Sequence, residues 1–123
     1  MTIIFNNKSD VSIQAGPKDY ELKNGIWTPG YPFATMIPEG SELSPKTGAW
    51  RTESQGFIVG TEGWANYTLG DSSTLVRIAW SSPAVGSPNC YAWIDGLQAE
   101  KYKVEYQCCS EHNCTCRFEL RKA

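Results

Sequence analysis

The sequence predicts an all-β fold, in which residues 1–123 form a single-domain antiparallel β-sandwich. Two observations predict this fold class. Short runs rich in β-branched and aromatic residues alternate along the chain with turn-forming clusters of Gly, Pro, Asn and Asp. In addition, no window shows a helical period of apolar residues over about three turns. About nine to eleven short strands fit these runs, a number that suits a β-sandwich or a small barrel.

The N-terminal half is predicted to form short strands separated by turns. Thr2–Phe5 and Val11–Ala15 suit an opening hairpin around a polar turn. The short strands expected next are Tyr20–Leu22, Gly25–Thr28, Phe33–Ile37 and Ser41–Leu43. The segment Ser44–Gln55 is polar apart from Ala49 and Trp50, so we expect it to be a long loop or a frayed edge.

The most regular predicted hairpin lies in the second half of the chain. Gly63–Leu69 and Leu75–Trp80 are rich in aromatic and β-branched residues, and Gly70–Ser73 between them is a turn-forming cluster. Lys101–Cys108 alternates apolar and charged residues, which is the pattern of a half-buried antiparallel strand. The remaining predicted strands are Phe57–Val59, Cys90–Ile94 and Cys114–Leu120, of which the last closes a hairpin with Lys101–Cys108.

Size and composition narrow the function classes. A length of 123 residues suits one domain with a hydrophobic core and is too short for two ordinary domains. Hydrophobic residues make up 41% of the chain and charged residues 20%, which argues against a disordered or fibrous protein. The formal net charge is −2, and the basic residues are scattered among acidic ones. We therefore expect no nucleic-acid partner.

The N-terminus bears on the expected location. Met1–Asn7 contains an apolar patch of four residues without a basic segment before it, so no signal peptide is visible. No apolar run approaches the roughly twenty residues that span a bilayer. The sequence therefore predicts a cytoplasmic protein or one released by a non-classical route. A mature secreted domain is the alternative, which the cysteines favour.

The chain has five cysteines, Cys90, Cys108, Cys109, Cys114 and Cys116. An odd number leaves at least one unpaired thiol in a monomer. If the four residues between Cys109 and Cys114 form a hairpin loop, these two cysteines face each other, and a cross-strand disulfide can join them. Cys90 then bonds either to Cys108 or to Cys116, and both pairings stay open.

The sequence offers little for catalysis or metal binding. His112 is the only histidine, so a catalytic pair would have to join it to Cys109 or Cys114. These thiols have no helix N-terminus or basic cluster to lower their pKa. Zinc ligands often come as two separated pairs, whereas these candidates crowd into one hairpin. We expect a non-enzymatic protein with no catalytic residue, no cofactor and no metal.

Aromatic residues are the better candidates for binding a ligand. The chain contains five Trp, six Tyr and four Phe, and several of them lie in or beside predicted loops. Tyr and Trp combine an apolar ring with a polar group, which suits the headgroup level of a membrane or stacking on a sugar ring. Recognition of a membrane lipid or a glycan is therefore the expected function.

One segment carries a more specific pattern. Gly60-Thr61-Glu62-Gly63 is followed by an alternating strand, a Gly-Asp turn, the strand Val76–Trp80, and then Pro83, Gly86-Ser87 and Asn89. This order resembles the central pattern of the aegerolysins, small β-sandwich proteins of fungi and bacteria that recognise particular membrane lipids. Lys103–Tyr106 is similar to the start of their C-terminal hairpin, and Phe5–Asn7 leading to Val11–Ile13 is similar to their opening hairpin.

The resemblance implies a protein that binds a membrane lipid headgroup through aromatic loop residues at the surface of a target membrane. It also implies a candidate partner, a separate pore-forming protein of the perforin type. The residues expected to contact the ligand are Tyr20, Trp27, Glu62, Trp64 and Trp80. Two alternatives stay open: a lectin that uses the same rings to bind sugars, and a disulfide-braced secreted effector or inhibitor.

Overall fold

Strands dominate the structure and form two facing sheets. A computed structural model describes residues 1–56, 60–111 and 113–123. In chain order, the elements within these ranges are β1 (Thr2–Asn7), β2 (Ile13–Gln14), β3 (Tyr20–Asn24), β4 (Ile26–Trp27), β5 (Met36–Ile37), β6 (Lys46–Glu53), β7 (Thr61–Leu69), β8 (Leu75–Ser82), β9 (Asn89–Asp95), a 3-10 helix (Ala99–Lys101), β10 (Tyr102–Gln107) and β11 (Thr115–Lys122). The predicted all-β sandwich is confirmed.

The two sheets have different strand orders. The first sheet has the order β10-β11-β1-β6-β4, and the second has the order β5-β2-β7-β8-β9, with β3 also paired to β7. β1 and β11 run parallel, from the pair Thr2–Thr115 to the pair Asn7–Leu120. The other pairings that the structure describes are antiparallel. The first and last strands of the described chain therefore lie side by side within one sheet.

Alternating burial along the strands creates the core. In β7, every second residue from Thr61 to Leu69 is buried, and the residues between them face outward. β8 shows the same alternation, with Val76, Ile78 and Trp80 buried. Inward residues of both sheets meet in one apolar cluster, whose largest members are Phe5, Trp50, Tyr67, Trp80 and Phe118. Burial of this apolar surface, at about 25 cal/mol per Å², is the main force that holds the sheets together.

Two predicted local elements are confirmed and one is wrong. β7 pairs with β8, as predicted for the central hairpin, and β10 pairs with β11. Thr2–Phe5 and Val11–Ala15 do not form a hairpin, because β1 pairs with β6 and β11, while β2 belongs to the second sheet. The predictions for Phe57–Val59 and for His112 lie outside the described residues.

The segment Ser44–Gln55 is a further correction, because it contains the eight-residue strand β6 rather than a loop or a frayed edge. β6 lies inside the first sheet, between β1 and β4. Its inward residues are Gly48, Trp50 and Thr52, so only one large apolar side chain marks the strand. The predicted strand Ser41–Leu43 is also wrong, since these residues lie in a bend. No helix in the described part of the chain has the length and apolar character needed to cross a bilayer.

Two disulfides stabilise one end of the sandwich. Cys109 is bonded to Cys114, as predicted, although both lie in the connection between β10 and β11 rather than on the strands, and Cys90 is bonded to Cys108. Cys116 is the free and buried cysteine of this group. Cys90 lies on β9 at an edge of the second sheet, and Cys108 follows β10 at an edge of the first. The Cys90–Cys108 bond therefore joins the two sheets covalently.

Replacement of both Cys90 and Cys108 by serine is expected to lower the free energy of unfolding by about 3 kcal/mol, because the bond closes a long loop of the unfolded chain. The sequence separation of this pair is 18 residues, compared with 5 for Cys109–Cys114. The matched control, Cys109→Ser with Cys114→Ser, should lose only about 2 kcal/mol. Urea unfolding without reductant measures both losses, and a larger loss in the control would contradict this prediction.

Candidate functional site

An open groove of about 550 Å³ lies on the outer face of the second sheet. β7, β8 and β9 form its floor, and alternate residues of each strand point outward. Trp64, Ala79 and Tyr91 lie side by side in the strand register. The backbones that carry the two rings are about 10 Å apart, which is twice the spacing of adjacent strands. The side chains of Trp64 and Tyr91 therefore flank the methyl group of Ala79. We call the depression between them the aromatic groove.

Tyr91 and Trp93 form one wall of the aromatic groove. Both residues point outward from β9, and their rings stack with centroids 5.3 Å apart and an interplanar angle of 14°. Tyr91 is 49% exposed and Trp93 is 44% exposed, which is high for large aromatic side chains. Each ring restricts the rotation of its neighbour. The wall is therefore ordered before any ligand binds.

Trp64 forms the opposite wall. It lies in the middle of β7 and is half-buried, with Glu21 of β3 next to it in the register. Lys23, the next outward residue of β3, lines the groove on the same side. Trp64 thus projects from a strand, as the predicted strand Gly63–Leu69 implies, although the family resemblance implied ligand contact through loop residues. A strand position also holds the ring more rigidly than a loop would.

Arg77 limits one end of the aromatic groove. Its Nη2 donates a hydrogen bond to Asp95 Oδ2 at 3.1 Å. On the other side, Asn66 Oδ1 accepts a hydrogen bond from Arg77 Nη1 at 3.1 Å, in the amide orientation that satisfies both groups. Trp93 lies beside Arg77 in the register. The guanidinium is therefore held from both neighbouring strands, and Asp95 balances its charge.

The other end of the groove is polar. Glu62, Ser81 and Asn89 lie side by side across β7, β8 and β9. Asn24 Nδ2 donates a hydrogen bond to the Glu62 carboxylate at 3.4 Å, and Asn89 Oδ1 accepts one from the Cys90 N–H at 2.9 Å. The Ser81 side chain is small, so the groove continues past it. This end offers a carboxylate, a hydroxyl and an amide to a ligand.

The structure brings together only some of the predicted contact residues. Glu62 and Trp64 line the aromatic groove, as described above. The Trp80 side chain is 1% exposed, and its ring packs against Trp50 and Trp27, with centroids 5.6 Å and 6.3 Å away. It points into the core, away from the outer face of the sheet. The expected role of Trp80 as an exposed ligand contact is therefore corrected to a core position.

Tyr20 and Trp27 belong to a separate cluster of rings. Tyr20 stacks on Phe33 with centroids 4.3 Å apart, and Trp27 packs against both of these residues. Tyr20 and Trp27 are half-buried and rest on the hydrophobic core. Neither residue lines the aromatic groove. Tyr20 and Trp27 therefore contribute to the packing of the sandwich.

Sequence reasoning missed the wall formed by Tyr91 and Trp93. The strand Cys90–Ile94 was predicted, but the face that these two rings occupy was not. In β9 the buried or half-buried residues are Cys90, Ala92 and Ile94, so the alternation leaves both aromatic rings on the outer face. Two features of the sequence could have predicted this wall. Tyr91 and Trp93 are large rings at alternate positions of one predicted strand, and the neighbouring strand carries the small residue Ala79 on its outer face.

No protein-family model matches this sequence, and no curated protein matches it. The resemblance to the aegerolysins therefore stays a prediction.

Proposed function

We propose that this chain is a non-enzymatic binding protein that recognises an uncharged saccharide in the aromatic groove. The observation that carries the proposal is the pair of aromatic walls, with the half-buried Trp64 on one side of Ala79 and the exposed Tyr91 and Trp93 on the other. Apolar walls with a few polar groups at the ends are typical of ligand sites.

A sugar ring matches these walls chemically. A pyranose has apolar C–H faces and carries its hydroxyl groups around the edge, so a ring inserted between Trp64 and Tyr91 contacts both with its faces. Its hydroxyl groups then reach Glu62 as an acceptor and the side-chain amide N–H groups of Asn89 as donors. The groove is open to solvent, so water molecules can bridge further hydroxyl groups of the sugar to the protein.

The charges of the groove favour an uncharged ligand. Arg77 is paired with Asp95 at 3.1 Å, and the two remaining charged side chains that line the groove, Lys23 and Glu62, have opposite signs. An anionic or cationic ligand would therefore meet little net attraction here.

The position of the rings favours a saccharide over a lipid headgroup at a membrane surface. The aromatic groove lies on the face of a sheet, whereas the exposed large apolar residues of the described loops lie in four separate loops: Tyr31, Leu43, Val85 and Leu97. Isolated exposed apolar residues of this kind are normal on protein surfaces. A pore-forming partner stays a prediction from the family resemblance.

Ala79→Leu is expected to weaken saccharide binding at least about tenfold, which corresponds to about 1.4 kcal/mol. Ala79 points outward at the centre of the aromatic groove, so a larger side chain fills the space between Trp64 and Tyr91. A glycan array identifies the saccharide, and isothermal titration with that saccharide measures the affinity. Thermal unfolding should be nearly unchanged.

Ala49→Leu is the matched control, because Ala49 is an exposed residue of β6 on the other sheet. It receives the same side chain, and its binding should equal that of the wild type. The proposal fails if the array shows no saccharide, or if Ala79→Leu binds as tightly as Ala49→Leu. Co-sedimentation with phosphatidylcholine–sphingomyelin–cholesterol vesicles that survives Ala79→Leu, together with an empty array, would instead support the lipid-binding prediction.

A further inference from the structure

Three sulfur atoms lie together at the start of β11. Cys109 is bonded to Cys114, and the Sγ of the free Cys116 lies 3.5 Å from the Sγ of Cys109. Cys114 and Cys116 are two residues apart in an extended segment, so their side chains point to the same side of the chain. Cys109 is therefore within bonding reach of two alternative partners.

The two alternative partners differ in exposure. Cys116 is fully buried at 0% exposure, whereas Cys114 is half-buried. Burial raises the pKa of the Cys116 thiol, while a backbone hydrogen bond at Cys109 and the amino group of Met1 lower it to a smaller degree. The resting protein therefore holds Cys116 as a neutral thiol inside the core.

We propose that Cys116 exchanges with the Cys109–Cys114 disulfide, so that the free thiol moves from the core to Cys114. In this step Cys116 gives up its proton, and the resulting thiolate attacks Cys109 Sγ. The bond between Cys109 and Cys114 breaks, and Cys114 Sγ leaves with the electron pair and takes up a proton. One disulfide replaces another, so no oxidant or reductant is needed.

The exchange gives the protein a site of thiol modification that the resting pairing hides. A thiol at Cys114 is reachable by alkylating reagents and by disulfides of other molecules, whereas the thiol of Cys116 is enclosed by the core. The exchange lengthens the sequence separation across the hairpin bond from 5 to 7 residues. This proposal does not depend on saccharide binding.

Alkylation of the folded wild-type protein tests the exchange. The protein is incubated with iodoacetamide, denatured in acid, digested without reduction, and examined by tandem mass spectrometry. Most of the label is expected on Cys114, together with a bond between Cys109 and Cys116. Label on Cys116 alone, or a folded protein that takes up no label, would overturn the proposal.

Two variants distinguish the exchange from other ways in which a free thiol could arise at Cys114. Cys116→Ala removes the attacking sulfur and keeps its buried site apolar, so label on Cys114 should be lost. Label that persists there would show that Cys114 becomes free without attack by Cys116, which contradicts the proposal. Cys114→Ser gives an independent measurement. The oxidised variant should bond Cys109 to Cys116 and show no free thiol after denaturation, whereas two free thiols would contradict the proposed reach of Cys109.

Discussion

Replacement of Trp80 by alanine is expected to lower the free energy of unfolding by about 4 kcal/mol. The indole is 1% exposed and lies in the aromatic core, next to Trp50 and Trp27. Its cross-strand neighbour is Gly63, which has no side chain that could fill the space left by the ring. The truncation should therefore leave a cavity, and urea unfolding followed by tryptophan fluorescence and circular dichroism measures the loss.

The fit between Trp80 and Gly63 allows a second test of the same packing. A Cβ atom built on Gly63 would lie 2.5 Å from Cζ2 of Trp80. Gly63→Ala alone should therefore destabilise the protein by about 2 kcal/mol through overpacking. In the Trp80→Ala background the ring is gone, so the same methyl group should have little effect or should restore some stability. Equal effects of Gly63→Ala in both backgrounds would contradict direct contact between the two residues.

Trp93→Ala is the matched control, because it removes the same side chain from the neighbouring strand β9. Trp93 is 44% exposed and stacks on Tyr91, so its loss should change the free energy of unfolding by about 1 kcal/mol or less. Saccharide binding, in contrast, should be weakened by Trp93→Ala. A stability loss as large as that of Trp80→Ala would mean that the outer face of the sheet is covered in solution.

The opposite positions of Trp80 and Trp93 show what strand periodicity can and cannot predict. In β8, Val76, Ile78 and Trp80 alternate with the charged Arg77, so strand periodicity favours the inner face for Trp80, whereas the family resemblance led us to expect a ligand contact there. In β9 both faces carry apolar residues, and alternation alone does not distinguish them. The register with β8 and the Cys90–Cys108 bond decide that Trp93 points outward.

The pairings of β1 mark a second limit of sequence reasoning. The β7–β8 and β10–β11 hairpins join neighbours in the chain, and local turn residues predicted both. β1 pairs with β6 and with β11, so its partners lie far away in the sequence and no turn signal connects them. β6 in addition has only Trp50 as a large inward apolar residue. Such strands are selected by the assembled core rather than by their own composition.

Replacement of Gly25 by alanine is expected to lower the free energy of unfolding by about 4 kcal/mol, the sum of about 1 kcal/mol for backbone strain and about 3 kcal/mol for overpacking. Gly25 has a φ of +91° and lies between β3, which pairs with β7 in the second sheet, and β4, which pairs with β6 in the first. The chain therefore crosses from one sheet to the other at this residue.

The space around Gly25 leaves no room for a side chain. A Cβ atom there would meet the backbone oxygen of Glu53 and would lie 2.8 Å from Oγ1 of Thr61. The Thr61 hydroxyl donates a hydrogen bond to the Asn24 carbonyl at 3.1 Å, so it cannot move away without losing that bond. The Glu53 oxygen belongs to the end of β6, which pairs with β4. Relief of the clash would therefore separate elements of both sheets.

Gly30→Ala separates the two contributions. Gly30 has a φ of +85°, similar to that of Gly25, but a Cβ atom built on it meets nothing within 4 Å. This control should lose only about 1 kcal/mol, the strain of a positive φ. Urea unfolding measures the loss of unfolding free energy in both variants. The amount by which Gly25→Ala loses more than Gly30→Ala is the cost of the steric clash at Gly25. Equal losses in both variants would show that the backbone around Gly25 can move to accommodate a methyl group. The close contact with Glu53 and Thr61 would then contribute little to stability.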